Sequence, residues 1–78
     1  MKYDKKFITT CIKLGQNIKN KRENRQITIK QLSKITGIRK EYLNKIELGT
    51  AYGVMLEKHL LKISTALKVK LVDLFDFH

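Results

Sequence analysis

The chain has 78 residues, 17 Lys and Arg against 7 Asp and Glu, and a formal net charge of +10, a length that predicts one domain over residues 1–78. The absence of proline, one cysteine and 42% apolar residues exclude a disulfide scaffold and a disordered tail, and the lone cysteine suits a reducing cytoplasm. No apolar stretch approaches the roughly 20 residues that span a bilayer, and Met1–Lys6 leads into too few apolar residues for a secretory signal, so neither membrane insertion nor secretion is expected.

Helical spacing then runs from end to end. Phe7, Cys11, Leu14 and Ile18 mark the inward face of a first helix, with Asp4 as its N-cap, and the pattern fades around Arg22–Gln26. Thr28 opens a second helix, and Gln31 three residues later completes a capping box. Leu32 and Ile35 are its expected core positions, and Gly37 ends it because glycine alone tolerates a positive φ without cost. A third helix runs from about Arg39 to Leu48 with Leu43 and Ile46 inward, and Gly49 closes it. A looser stretch, Thr50 to Gly53, precedes a fourth helix carrying Leu56, Leu60, Ile63 and Leu67. A short fifth, Leu71 to Phe75, is expected to bury Leu71, Leu74 and Phe75. No alternating run of strand length interrupts this order, and the chain reads as a compact all-α, five-helix domain.

The charge is unevenly placed. Residues 1–45 carry 13 basic and three acidic side chains, whereas residues 46–78 carry four of each. The whole excess therefore lies in the first 45 residues, which points to a polyanion, most simply nucleic acid, bound by that half. A generic lysine-rich surface is the alternative that charge alone leaves open. Within the basic half, two short helices meet at Gly37. A helical pair crossing at about 90–120° through a three- to four-residue turn needs such a glycine, a small residue where the backbones approach (Ser33), and apolar residues facing a shared core (Leu32, Ile38, Leu43 and Ile46).

The stretch from Thr28 to Gly49 that carries these features resembles the phage-repressor/Cro helix-turn-helix family, also called the XRE group. The likeness extends upstream to Ile18 and Arg22 and downstream through Leu60, Ile63, Ala66 and Leu67 to Leu74 and Phe75, covering residues 14–75. It implies a five-helix, lambda-repressor-like domain that binds double-stranded DNA and regulates transcription, usually as a dimer. The second helix of the motif then enters the major groove, and the matching base-contacting positions are Arg39, Lys40, Glu41, Asn44 and Lys45. Arg39, Lys40 and Lys45 can donate to guanine O6 and N7, Glu41 can accept from cytosine N4, and Asn44 suits adenine or a water-mediated contact. Plain solvation is the competing role for Lys40 and Lys45.

Phosphate contacts are expected from Thr28, Lys30, Gln31 and Lys34 on the first motif helix, from the Tyr42 hydroxyl, and from Thr50 and Tyr52 in the following loop. Tyr42 has the second option of covering the core, and the loop that of merely joining helices. The sequence departs from the family at Ile29, where a glutamine usually grips the DNA backbone, and at Leu48, where a polar residue usually follows the glutamate. The loop between Glu47 and Leu60 is also two residues longer than the common pattern. Arg22 and Glu47 occupy positions that form a partly buried structural ion pair in the family, with a phosphate contact by Arg22 as an added possibility.

A single recognition helix reads few base pairs, so the resemblance implies a homodimer on an inverted repeat. Its interface is expected at Leu71, Val72, Phe75 and Phe77, where charge is balanced and apolar residues persist. Repression governed by the protein's own concentration fits so short a chain. Cys11 is expected as a buried core residue, and His59 and His78 have no partners at metal-ligand spacing. No catalytic constellation, cofactor, metal or small-molecule ligand is expected. The rival reading is the antitoxin of a toxin–antitoxin pair, in which a protein-interaction surface dominates and DNA binding serves autoregulation. Nonspecific nucleic-acid binding is a third.

Overall fold

A computed structural model describes residues 4–52 and 55–77, with Met55 and Leu56 described by their backbone alone. Five helical elements follow one another: α1 (Lys5–Asn24), α2 (Ile29–Thr36), α3 (Lys40–Leu48), α4 (Met55–Leu67) and a 3-10 helix, η1 (Leu71–Phe75). Among the described residues the fold is all-α, and no helix is long and apolar enough to cross a membrane. The side chain of Leu56, expected in the core, and the loop glycine Gly53 lie outside what the structure describes.

Local chemistry starts and stops each helix. The Asp4 carboxylate accepts the Phe7 N–H at 2.8 Å at the head of α1, and Lys21 and Arg22 occupy its last turn, where cations complement the helix dipole. At the head of α2 the Thr28 hydroxyl accepts the Gln31 N–H at 3.0 Å while the Gln31 side chain accepts the Thr28 N–H at 2.8 Å. Two otherwise orphaned amides are thus satisfied reciprocally. Gly37 at φ 77° and Gly49 at φ 81° end α2 and α3 in the left-handed region.

Every element contributes to one core. Ile18, Leu32, Leu43, Ile63, Leu67 and Leu74 are fully buried, and each such side chain contributes about 1.5–3 kcal/mol by leaving water. α1 packs chiefly on α3 and also on η1, while α2 is gripped between α3 and α4. The α1–α3 approach is close because Gly15 has no side chain: a Cβ there would lie 2.4 Å from the Ile46 carbonyl oxygen. At the other end of the chain, Asn17 Nδ2 donates to the Leu74 and Asp76 carbonyls at 2.9 and 3.0 Å and ties η1 to α1.

Four expected core positions are corrected. Ile35 is 59% exposed, and Thr36 is buried instead, its hydroxyl donating to the Leu32 carbonyl and accepting the Ile38 N–H. The inward stripe of α2 follows the i, i+4 row from Leu32, and the turn consumes the threonine's polar group. The fifth element is a five-residue 3-10 helix packed on α1 and α4, and within it Leu74 alone is buried, with Leu71 and Phe75 38% and 44% exposed at its two ends. Phe7, too, is more exposed than a core position, one turn from the start of α1, and its ring lies 5.9 Å from that of Tyr52.

Candidate nucleic-acid interface

α3 presents two unlike sides. Leu43 and Ile46 lock one into the core, while Lys40, Glu41, Asn44 and Lys45 stand exposed on the other. Arg39 is the N-cap rather than the first helical residue; its extended backbone makes no side-chain cap, so its guanidinium also remains exposed. Arg39, Lys40, Glu41 and Lys45 line one open cleft of about 630 Å³ together with Ser33 and Tyr42. Three cations against one carboxylate make this cleft electropositive. Asn44 is not brought into it. It opens instead on a groove of about 530 Å³ along the other edge of α3, with Lys19, Ile29 and Leu48 among the lining residues.

The turn that aims α3 is braced from within. The Ser33 hydroxyl donates to the Ile38 carbonyl and the Gly37 N–H donates to the Ser33 carbonyl at 2.8 Å, so the small residue closes the turn as well as admitting the neighbouring helix. Tyr42 is half-buried against the core, its ring edge-on to His59 at 4.8 Å and 69°. Burial lowers the His59 pKa below its ordinary 6.5, and Lys62 and Lys58 lower it further. Its Nδ1 is buried without a hydrogen-bond partner among the described residues.

The phosphate candidates flank α3. Thr28, Lys30, Gln31 and Lys34 are exposed on α2, with the side chains of Thr28 and Gln31 engaged in the capping box. Beyond α3, Thr50 is exposed and its hydroxyl donates to the Lys45 carbonyl at 3.3 Å, while Tyr52 is half-buried beside Phe7.

Arg22 reaches across to α3. Its Nε donates to Glu47 Oε2 at 2.7 Å, one terminal nitrogen donates to Glu47 Oε1 at 3.1 Å, and the other donates to the Ile27 carbonyl at 2.7 Å. The two side chains are only 10% and 7% exposed. The hydrogen bond to Glu47 raises the arginine's pKa, so its charge is held in place. With all three nitrogens committed, Arg22 acts on α3 rather than outward. The C-terminal candidates lie elsewhere: Leu71, Val72 and Phe75 are exposed on η1, and Phe77 is partly buried with Lys13 Nζ 6.0 Å from its ring centre.

Sequence reasoning missed Gly15, Asn17 and Thr36. The only signal for Gly15 was a glycine inside an otherwise helical run, where it costs about 1 kcal/mol unless something needs the space. Asn17 and Thr36 read as ordinary surface polar residues, and nothing local marks their partners. The Cys11 thiol is buried and its pKa is raised by that burial, which leaves it protonated and inert.

Two helices joined through a left-handed glycine, with the second exposing a basic face, define a helix-turn-helix protein. The chain belongs to the helix-turn-helix domain family, of the phage-repressor/Cro (XRE) type: the model described as "Helix-turn-helix domain" matches residues 15–76. No curated relative matches the sequence. Among solved structures, the restriction-modification controller protein C.AhdI from Aeromonas hydrophila is similar with a TM-score of 0.77 and 24% identity, over 86% of this chain and 98% of that one. An HTH_3 family transcriptional regulator from Vibrio cholerae is similar with a TM-score of 0.78 and 23% identity, over 88% of this chain and 38% of that one. At such identities the likeness is one of fold.

Proposed function

We propose that this protein is a transcriptional regulator that binds double-stranded DNA sequence-specifically, as a homodimer on an inverted repeat with α3 in the major groove of each half-site. The observation that carries this reading is the exposed Arg39, Lys40, Glu41 and Lys45 around one cleft, on a helix held rigidly by its buried side. Such a set can donate to guanine and accept from cytosine, which discriminates sequence, whereas a purely cationic face would only bind phosphate. Asn44, on the neighbouring edge, would read an adjacent base or a bridging water.

Lys30 and Lys34 supply phosphate contacts on one flank. Thr28 and Gln31 each keep a donor beyond the capping box for the same strand. Tyr42, Thr50 and Tyr52 serve the other flank. Leu71, Val72, Phe75 and Phe77 contribute to the dimer surface, and the dimer acts as a cytoplasmic repressor set by its own concentration.

Selection from random duplexes at about physiological salt tests the reading. An enriched inverted repeat with half-sites about one helical turn apart is the expected result. Equal recovery of all sequences would overturn it.

A further inference from the structure

α2 and α4 leave an open cleft of about 680 Å³ between them. Its apolar lining comes from Ile35, Leu61 and Ala66 and its charged lining from Lys62 and Lys68, and no carboxylate among the described residues lines it. Ile35 and Leu61 are each 59% exposed, so two large aliphatic side chains meet water in one place. Neither lysine makes an ion pair among the described residues. Elsewhere on the two helices, α2 carries Lys30 and Lys34 and no acid, and α4 carries Lys58 and one carboxylate, Glu57, a turn before Leu61. Lys70, Asp73 and Asp76, at and beside η1, lie outside the lining, as does every residue of α3.

Chemistry narrows the occupant. A small molecule would stay half open to water on so exposed a floor, whereas ligand pockets bury most of what they hold. A DNA phosphate would suit the lysines but not Ile35 and Leu61. An extended peptide would bring unpaired amides onto apolar side chains, and two helices offer no strand edge to satisfy them. A helix satisfies its own backbone, and the groove between two packed helices is where the ridge of a third fits. From Leu61 to Lys68 the cleft runs along about two turns of α4. The lysines then call for carboxylates beside the apolar stripe of the incoming helix. This chain supplies no such helix: Glu23 is the one carboxylate on α1 and Glu57 the one on α4, α2 has none, and of the two on α3 Glu47 is held by Arg22.

We propose that the α2–α4 cleft docks an acidic amphipathic helix of a different protein, its apolar stripe on Ile35, Leu61 and Ala66 and its carboxylates facing Lys62 and Lys68. The backbone at Lys68 agrees with this role. Its φ of 58° lies in the left-handed region, which glycine supplies at the ends of α2 and α3, yet here the position keeps a cation on the cleft. Because α3 takes no part, a copy bound to DNA through α3 keeps this site open to its partner.

Two labelled synthetic peptides of about 16 residues, long enough to hold a helix, probe the cleft. They share leucines at i, i+3, i+4 and i+7 and differ only in carrying glutamates or lysines beside that stripe. Fluorescence anisotropy at about 0.1 M salt should show the full chain binding the glutamate peptide at least about tenfold more tightly than the lysine peptide. Leu61→Gln should weaken that binding at least about tenfold. Lys68→Gly should weaken it about threefold without lowering the thermal unfolding midpoint, because glycine favours that backbone. Lys62→Glu combined with Lys68→Glu should reverse the preference between the peptides. Thermal unfolding of each variant checks that the fold is retained. Equal affinity for the two peptides, or no binding of either at about 1 mM, overturns the proposal. So does binding that Leu61→Gln leaves unchanged, which would put the acidic peptide on another basic face such as α3. A wild-type dimer that Leu61→Gln dissociates would assign the cleft to a second copy and overturn it as well. Each of these failures leaves the proposed DNA binding standing.

Discussion

The Arg22 guanidinium donates three hydrogen bonds in one nearly dry site, two to Glu47 and one to the Ile27 carbonyl. Removing the carboxylate would leave a buried cation without its counter-charge, and such a loss costs about 3–5 kcal/mol. Glu47→Ala is therefore expected to lower the thermal unfolding midpoint sharply as well as weaken DNA binding. An unchanged midpoint would show that the pair contributes nothing to the fold. Lys40 and Glu41 are the opposite case, exposed and without a side-chain hydrogen bond or ion pair among the described residues. Substituting either by alanine should leave stability within about 0.5 kcal/mol. If each reads a base, it should relax preference at one operator position by about 1–3 kcal/mol, measurable by titrating single-base variants of the selected site. Uniform weakening across all variants would instead mark a phosphate contact. The difference between these residues was only partly legible in sequence. Arg22 and Glu47 are 25 positions apart, and nothing local joins them; the resemblance to a family suggested the pair.

At the scale of elements, two glycines do different work. Gly37 needs its positive φ and has nothing within 4 Å of where a Cβ would stand, whereas Gly15 is helical and abuts the Ile46 and Glu47 carbonyls. Gly37→Asn should cost under about 1 kcal/mol, because asparagine tolerates the left-handed region. Gly15→Ala should cost about 3 kcal/mol, because backbone cannot yield as a side chain can, and α1 must move off α3. Denaturant unfolding of the two variants separates conformational from steric need. The α3–α4 contact carries a pH dependence through His59, whose pKa is lowered by burial and by Lys62 and Lys58. Above its ordinary 6.5 the folded and unfolded chains both hold it neutral, and the packing against Tyr42 is fully available. As pH falls below that value, the unfolded chain takes up the proton first, so stability declines toward the folded pKa. Urea unfolding between about pH 7 and 5 should show this decline, and His59→Phe, which keeps a ring beside Tyr42, should flatten it. The caps of α2 were legible because they are local, three residues apart. The choice of Thr36 over Ile35 was not: an eight-residue helix shows barely two turns of pattern, and α4 decides which row is covered.

For the whole molecule, the +10 charge becomes a statement about salt. Each phosphate contact contributes about 0.9 to the slope of log affinity against log salt, so Lys30→Ala, removing one contact from each subunit of a dimer, should reduce that slope by about 1.8. A reduction near 0.9 would indicate a single bound subunit, and no change would remove Lys30 from the interface.

The sequence by itself determined the helix order, the caps, most of the core and the location of the basic excess, because these depend on spacing within one helix or on composition within one segment. It also carried the likeness of Thr28 to Gly49 to a helix-turn-helix. Tertiary structure alone decided that Asn44 opens away from Arg39, Lys40, Glu41 and Lys45, that Gly15 admits α3, and that Ile35 and Leu61 share an exposed cleft. Each of these depends on how one helix lies against another, and that is settled by close packing among residues far apart in the chain.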